Sequence, residues 1–394
     1  QEPFDNHVED RGFSQEIRLV SSGEGPLSWI GGLYYQDRQQ SYDQLLTIDR
    51  TPVPGEPREL SRVGDQPVEQ YAVFGQLNYL ITPRLEATVG ARYFHETIGI
   101  NDRFETYGLA AAIQATALEP NPAFLNVEST YKDILPRFAL NWQLSETQRV
   151  YVQAARGYRT TTPNVQINLN VGRPFLDPDF LWNYEVGAKT QWWDGRLLLN
   201  GSLYQIDWSD LQADRVGTAQ IGLLPIDVIY IDNIGDARIR GAELELVSSL
   251  TQNWLVMLGL AYQDGRLVKL SEGSTAIPDS RIPNSPEWSG SLVSTYSIPL
   301  SASYLLSLTG SLQYVDDQAS TEVTPQDPRG SETAAYTQLG ITIGLDGERW
   351  GLSVFGSNLL DEIVEVQNAS LTESENFTTL GRPRTIGLRV RANF

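Results

Sequence analysis

The side chains that could do chemistry in this sequence are few and scattered. It contains no cysteine, which leaves no thiolate metal site and no cysteine nucleophile. Its two histidines, His7 and His95, are predicted to lie in a terminal tail and at the end of a strand. We find no phosphate-binding loop, nucleophile elbow, zinc-binding histidine motif or dinucleotide fingerprint. The sequence therefore predicts no catalytic residue, no metal site and no cofactor.

Three pairs of acidic residues have the composition that a glycosidase needs, since these enzymes use two carboxyl groups. The pairs are Asp316 with Asp317, Asp361 with Glu362, and Glu243 with Glu245. The first two pairs stand where predicted loops begin, and the third occupies alternate positions of a predicted strand. We therefore interpret them as solvated loop residues and as part of a charged strand face, and we predict that the chain is not an enzyme.

A larger set of charged residues alternates with apolar neighbours along the chain. In residues 385–394, Ile386, Leu388 and Val390 alternate with Arg389 and Arg391. Successive side chains of a strand point to opposite faces, so charges collect on one face and apolar residues on the other. Unpaired charges are too costly for a dry core. We therefore expect this charged face to line water or another protein surface. Its predicted members are Glu16, Arg18, Glu86, Arg92, Arg137, Glu185, Lys189, Glu243, Glu245, Arg389 and Arg391.

The same alternation recurs in about fifteen segments, which we predict to be strands. They are residues 13–22, 27–36, 71–80, 85–94, 136–142, 150–158, 184–193, 197–208, 238–247, 254–263, 288–298, 304–315, 337–345, 350–358 and 385–394. Around Asn200 and Gly201 the phase of the alternation is ambiguous, and a β-bulge is predicted there.

The connections between these segments alternate in length. Tight turns, such as residues 82–84 and 194–195, alternate with loops of about twenty to thirty residues. This parity is typical of a membrane β-barrel, which has short periplasmic turns and long extracellular loops. The sequence thus predicts an all-β fold, an antiparallel up-and-down transmembrane β-barrel. The loops at 159–180, 209–237 and 360–383 are candidates for ligand contact.

The composition fits this architecture. With 9 Trp and 18 Tyr the chain can supply aromatic girdles at two lipid interfaces. A mean hydropathy of −0.28 is compatible with a barrel, because its apolar residues alternate with polar ones. The net charge of −20 argues against nucleic acid as a partner. The acidity suits either solvated loops or the attraction of cations and metal complexes.

Several motifs distributed along the chain carry a family resemblance. They are FSQEIRL at 13–19, WIGGLYY at 29–35, PRF at 136–138, ARGYR at 155–159, NYEVGAK at 183–189, WDGRL at 193–197, GAELE at 241–245, RIPNSP at 281–286 and NLLD at 358–361. In this order the chain resembles the barrels of TonB-dependent outer-membrane receptors. The resemblance implies a location in the bacterial outer membrane and the import of a scarce ligand, such as a ferric siderophore, with energy from TonB.

The resemblance also implies parts that this sequence does not match. Such receptors have a plug domain inside a barrel of about 22 strands. We therefore expect residues 1–394 to be the C-terminal portion of a barrel, without the plug and the first strands, and to form an open wall. The charged face would hold the plug. The implied partners are outer-membrane lipid, the small-molecule ligand, TonB through the plug, and the barrel-assembly machinery through a C-terminal signal at Phe394.

Two other functions stay open at this point. A passive, porin-like diffusion channel would share the alternation and the loop parity, and the sequence upstream would distinguish it. A soluble all-β binding module would be distinguished by purification without detergent. Neither the ligand nor the loop residues that bind it can be named from the sequence.

Overall fold

The computed structural model describes residues 4–48, 58–107, 123–161, 175–221, 224–325, 327–372 and 375–392. These residues form strands, turns and loops, and none of them lies in a helix that could span a membrane. The strands are β1 (Phe4–Val20), β2 (Leu27–Ile48), β3 (Arg58–Thr82), β4 (Leu85–Tyr107), β5 (Ala123–Ser145), β6 (Gln148–Arg159), β7 (Asp179–Trp192), β8 (Leu197–Ile221), β9 (Leu224–Thr251), β10 (Trp254–Leu270), β11 (Trp288–Pro299), β12 (Leu305–Val315), β13 (Tyr336–Asp346), β14 (Trp350–Ser357), β15 (Glu365–Thr372), β16 (Glu375–Leu380) and β17 (Thr385–Ala392).

Fifteen of these strands form one antiparallel sheet in the order β1 to β14 followed by β17. Each predicted segment corresponds to one strand of this sheet, so the predicted all-β, up-and-down architecture is confirmed. The remaining two strands, β15 and β16, form a separate hairpin within the connection between β14 and β17. Among the described residues β1 and β17 are not paired with each other, so the sheet is an open wall, as expected.

Several strands are much longer than the sequence predicted. β8 has 25 residues and β9 has 28, and they pair almost to their shared tip at Ile221 and Leu224. Most of the predicted loop at 209–237 is therefore a hairpin. A strand of about ten residues crosses a bilayer, so these strands continue beyond it on the side of the long connections. There both faces can meet water, and the alternation that marks a strand in the sequence is lost.

The β-bulge predicted near Asn200 and Gly201 is wrong. The register with β9 is continuous there, and Gly201 lies opposite Leu244, on the same face as Leu199 and Leu203. The register shifts instead between Trp208 and Gln212. Asp210 in this segment has a φ of 57°, a left-handed conformation that Asp tolerates better than most residues. The two histidines are also misplaced, since His7 lies within β1 and His95 within β4.

β6 separates from β5 on the side of the long connections, although it stays paired with β7 as far as Arg159, opposite Asp179. It pairs with β5 only as far as Ala155, which lies opposite Arg137. Beyond this point Tyr158 stacks on Phe94 of β4, with 3.9 Å between ring centroids. The end of β6 thereby folds over the side of β4 that carries Glu86 and Arg92, and Phe94 on that side is completely buried.

Glycines in the wall make room for tyrosines of neighbouring strands. A Cβ at Gly187 would lie 2.5 Å from the hydroxyl oxygen of Tyr151, and one at Gly241 would lie 2.3 Å from the ring of Tyr204. Each tyrosine thus lies flat over the backbone of the next strand. This arrangement orients the Tyr151 hydroxyl toward Glu185, to which it donates a hydrogen bond.

Candidate functional site

All members of the predicted charged set lie on one side of the sheet. Residues directly opposite each other in paired strands share a face, so the face can be followed from strand to strand. Glu86 lies opposite Asn141, Asn141 opposite Tyr151, and Tyr151 opposite Gly187, two residues from Glu185. The same tracing reaches the other members, from β1 to β17. We call this side the polar face; its contact with a plug stays a prediction.

Some charges of the polar face are already satisfied within the wall. Arg18 pairs with Glu16 in the same strand, and the Arg391 guanidinium lies 2.9 Å from a carboxylate oxygen of Asp346. The remaining satisfied members are Glu185, which accepts hydrogen bonds from Tyr151, Gln153 and Asn183; Glu245, which accepts one from Asn200; and Arg92, which donates one to Gln70. These residues stabilise neighbouring strands, which weakens the case for them as plug contacts.

Other charges of the polar face have no partner of this kind. Glu86, Arg137, Lys189 and Glu243 make no hydrogen bond or ion pair with any residue that the structure describes. Arg389 likewise has no ion pair there, but its guanidinium lies 5.5 Å from the ring centroid of Phe355. These side chains are the ones most available to a second protein surface. Phe394, the predicted assembly signal, lies outside the described residues.

The opposite side, which we call the apolar face, carries two rows of aromatic residues. The rows pair Tyr71 with Tyr79 in β3, Tyr184 with Trp192 in β7, Tyr262 with Trp254 in β10, and Trp288 with Tyr296 in β11. In each strand the two aromatics are eight residues apart, about 26 Å along the strand at about 3.3 Å per residue. The residues between them include exposed Leu77, Val186 and Leu260. An apolar band of about 25 Å between aromatic girdles is typical of a membrane barrel.

Beyond this band, a buried ion pair fastens the extended strands β2, β3 and β4 together. Arg62 and Asp102 lie 2.7 Å apart, with side-chain exposures of 9% and 0%. The guanidinium of Arg62 also donates to the Tyr42 hydroxyl over 2.7 Å, and that hydroxyl donates to Asp102. Burial and the hydrogen bond to Asp102 raise the pKa of Tyr42, so the phenol stays protonated. The three polar groups thus satisfy one another away from water.

The predicted ligand loop at 159–180 lies, where it is described, against the inner side of β4 and β5. Leu176 is completely buried, and its carbonyl oxygen accepts hydrogen bonds from Tyr131 and Thr161. Thr160 donates a hydrogen bond to Glu96 of β4. Arg159 pairs with the buried carboxylate of Asp179 at the start of β7. This segment therefore narrows the space in front of the polar face.

Three connections on the same side share a buried arginine. Arg215 of β8 binds Asp232 of β9 over 2.8 Å and forms an ion pair of 3.3 Å with Glu322, which lies between β12 and β13. It also donates to the carbonyl oxygen of Gly273, between β10 and β11. Burial opposes the charge, but the Glu322 and Asp232 carboxylates raise the pKa of Arg215. The adjoining apolar core consists of Leu211, Ile234, Ala237, Ile239, Leu267, Ala276 and Ile282.

A cavity of about 390 Å³ opens beside this core on the polar face. Among its lining residues, Trp208 Nε1 and Ser285 Oγ are buried and have no hydrogen-bond partner among the described atoms. The Arg159 guanidinium lies 5.5 Å from the ring centroid of Trp208. Burial raises the pKa of the Asp214 carboxyl, which also lines the cavity. Buried polar groups are normally paired, so these groups are suited to a ligand that both accepts and donates hydrogen bonds.

The sequence indicated only part of this cavity. Its RIPNSP motif supplies Asn284 and Ser285, and Asp214 lies in the predicted ligand loop at 209–237, whereas Trp208 belongs to a predicted strand and was not a candidate. Trp208 and Asp214 flank the bulge that the sequence placed elsewhere, so their orientation could not be followed by alternation. The other predicted ligand loop, at 360–383, contains the β15–β16 hairpin, and none of its described residues lines this cavity.

The family model for the β-barrel of TonB-dependent receptor-like proteins matches residues 4–359. The chain belongs to the TonB-dependent receptor family. Its members are β-barrel proteins of the outer membrane of Gram-negative bacteria, and this receptor barrel shares that location.

Curated relatives of this chain are outer-membrane receptors, and they are longer than it is. It is 21% identical to the pesticin receptor of Yersinia pestis over 390 residues, which cover 96% of this chain and 51% of that receptor. It is 22% identical to a probable TonB-dependent siderophore receptor, PiuA, of Acinetobacter baumannii, covering 76% of this chain and 39% of the relative. The chain therefore spans about half, or less, of the length of the relatives it matches.

A solved structure shows the same fold. The ferric yersiniabactin uptake receptor FyuA of Yersinia pestis superimposes on this receptor barrel with a TM-score of 0.78 at 18% identity. The match covers 99% of this chain and 55% of FyuA. At this identity the likeness concerns the fold, which is the wall of a membrane barrel.

Proposed function

We propose that this chain is the C-terminal barrel wall of an outer-membrane receptor that binds a chelated metal, such as a ferric siderophore, and imports it with energy from TonB. We propose no catalytic role. The observation that carries the proposal is the cavity at the outer end of the polar face, where Trp208 Nε1 and Ser285 Oγ have no hydrogen-bond partner among the described atoms. It lies where a ligand arriving between the long connections would enter the barrel. The names of the relatives, receptors for siderophores among them, support the ligand class.

In this proposal the polar face holds a plug supplied by another part of the full-length protein. Glu86, Arg137, Lys189 and Glu243 offer both signs of charge without partners in the described wall. Mixed charges of this kind can pair with a plug that must later be released, because exposed ion pairs are individually weak. TonB would then act on the plug, and the wall would stay in place.

The test is uptake by the full-length receptor in a Gram-negative host that lacks its own siderophore receptors. Radioactive iron bound to a panel of chelators is the probe, and a parallel host lacks TonB. We expect at least one ferric chelate to enter only when both the receptor and TonB are present. Uptake that is equally fast without TonB would instead indicate the passive channel, and no uptake of any chelate would contradict the proposed ligand class.

Two substitutions connect uptake with the cavity. Trp208→Phe removes the unpaired indole N–H but keeps a ring, and Asp214→Asn removes the charge. We expect each to raise the half-saturating chelate concentration about tenfold, the order of one lost buried hydrogen bond. Trp254→Phe, which removes an indole N–H on the apolar face, is the matched control. Equal effects of all three variants would exclude the cavity as the ligand site.

A further inference from the structure

The cavity on the polar face contains a carboxylate, Asp214, whose charge is not balanced by the other described lining residues. The second charged side chain among them is Arg159. Its guanidinium is held by the buried carboxylate of Asp179, whose Oδ2 lies 2.9 Å from Nε, and it also donates to the backbone oxygen of Gln212. Arg159 attracts Asp214 through space, but Asp214 makes no hydrogen bond or ion pair with any residue that the structure describes. Arg159 and Asp179 cancel each other, so the negative charge of Asp214 remains.

Two arginines of the surrounding segments are also bound to other carboxylates. Arg215, the next residue of β8, is shared by Asp232 and Glu322 at 2.8 Å and 3.3 Å. Arg281, which begins the RIPNSP motif, lies 2.7 Å from Asp317. In each contact the carboxylates equal or outnumber the guanidinium. These arginines therefore leave no positive charge over for the cavity.

The carboxyl groups around the cavity are also close enough to disfavour one another's charge. Asp210 lies in the bulge of β8, between residues that line the cavity. Burial raises the pKa of its carboxyl, and the carboxylates of Asp236 and Asp177 raise it further, although Lys269 opposes them. Burial likewise raises the pKa of Asp214. A further negative charge placed beside Asp214 is therefore unfavourable.

The rest of the cavity strengthens the effect of this charge. Its volume of about 390 Å³ lies within the range of small-molecule pockets, about 300 to 1000 Å³, so it accommodates a compact chelate or one arm of a larger one. Leu211, Ile239 and Ile282, which line it, are apolar and buried. Charges interact more strongly beside such groups than in water. An ammonium or hydroxyl group can pair with Asp214 there, whereas an anion is repelled.

We propose that Asp214 selects the ligand by charge: the cavity binds a metal chelate whose inserted part is uncharged or positively charged, and it rejects polyanionic chelates. This inference rests on the proposed transport function and names the substrate class of the same site. An ammonium or hydroxyl group of the ligand donates to the Asp214 carboxylate, while Trp208 Nε1 donates to a neutral oxygen. The ligand thereby supplies the partners that both buried groups lack among the described residues.

The test measures the binding of radioactive iron chelates to the purified full-length receptor in detergent. Three probes share one linear ferric tris-hydroxamate and differ in its terminal amine, which is free and positively charged, acetylated and neutral, or succinylated and negatively charged. A ferric tris-catecholate is the polyanionic fourth probe. We expect the dissociation constant to rise from the free amine to the succinylated form by at least about tenfold, the order of one charge-assisted hydrogen bond. The tris-catecholate should bind no more tightly than the succinylated form.

Asp214→Asn keeps the shape of the side chain and removes its charge. It should weaken binding of the free-amine chelate about tenfold and make the three hydroxamates bind about equally. The matched control is Asp65→Asn, which removes the same charge from a residue that does not line the cavity and accepts a hydrogen bond from Asn101. This control should preserve the differences among the three hydroxamates. Electrophoretic mobility before and after heating verifies that each variant is folded.

Equal affinities of the unmodified receptor for the three hydroxamates, a preference for the tris-catecholate, or the same change in both variants would overturn the proposal. Absence of binding to all four probes would overturn it as well. If uptake of some ferric chelate still depends on TonB in these cases, the transport function stands and only the selection by charge fails. If no chelate is taken up, the transport function fails with it.

Discussion

Removing one partner of the buried ion pair between Arg62 and Asp102 should open the extended strands without unfolding the barrel. In Asp102→Asn the guanidinium of Arg62, 9% exposed, would lose the charge of the Asp102 carboxylate 2.7 Å away. Breaking a buried pair in this way costs about 3 to 5 kcal/mol. Because 1.4 kcal/mol is a factor of ten, local opening of the outer ends of β2, β3 and β4 should become about a hundredfold to several thousandfold more frequent.

Hydrogen exchange followed by mass spectrometry measures this opening in the full-length receptor. Amides near Tyr42, Arg62 and Asp102 should exchange faster, whereas amides between the two aromatic rows should not change. Asp10→Asn is the matched control, because Asp10 pairs with Arg38 across β1 and β2 with side-chain exposures of 42% and 45%. Such a surface pair contributes little, so its loss should leave exchange almost unchanged.

A double replacement tests the cause. With Arg62→Met and Asp102→Leu together no uncompensated charge stays buried, and such exchanges are often neutral. Protection near Tyr42 should then return toward its original level. Our reasoning would be refuted if Asp102→Asn and Asp10→Asn accelerated exchange equally, or if the double variant opened more than Asp102→Asn.

Two further predictions concern the wall and the cavity. In Gly241→Ala the new methyl group would lie 2.7 Å from the backbone oxygen of Tyr262 and against Tyr204. This overpacking should cost about 1 to 3 kcal/mol and lower the temperature at which the folded electrophoretic mobility is lost. The control Gly310→Ala, which has open space around the new methyl group, should leave that temperature unchanged. Burial raises the pKa of Asp214, so its charged form destabilises the folded state above that pKa, and the penalty disappears as the pH falls to the ordinary pKa of an aspartate. Asp214→Asn should therefore have a higher melting temperature than the unmodified receptor at neutral pH. A difference in melting temperature that did not shrink on acidification would contradict this.

The membrane-spanning part of the fold could be predicted from the sequence because every strand there must alternate apolar side chains, which face lipid, with polar ones. Ile386, Leu388 and Val390 alternate with two arginines in β17, and the same two-faced pattern in the other strands gave both the number of strands in the sheet and the members of the polar face. The family match agrees with the motifs that the sequence presented.

Beyond the bilayer that rule no longer applies. The outer ends of β8 and β9 pack against neighbouring connections through residues such as Leu211 and Ile234, and they have no lipid on their other face. Their residues therefore do not alternate, and the sequence predicts a loop there. Tyr158 turns inward because β6 leaves β5 after Ala155, which depends on contacts with β4. Trp208 and Asp214 reach the cavity on either side of a bulge. These placements follow from tertiary packing and not from local periodicity.

The guanidinium of Arg215 has a consequence for how the outer part of this wall can move. It joins β8, β9 and the connections that contain Gly273 and Glu322. If one of these segments shifts while the others stay, the buried guanidinium of Arg215 or one of its carboxylate partners loses its ion pair without gaining contact with water. The motion of lowest free-energy cost is therefore a concerted one, in which these segments move together as one rigid body beside the cavity. Variation in natural relatives should then be free at the tips of these segments and restrained where they meet.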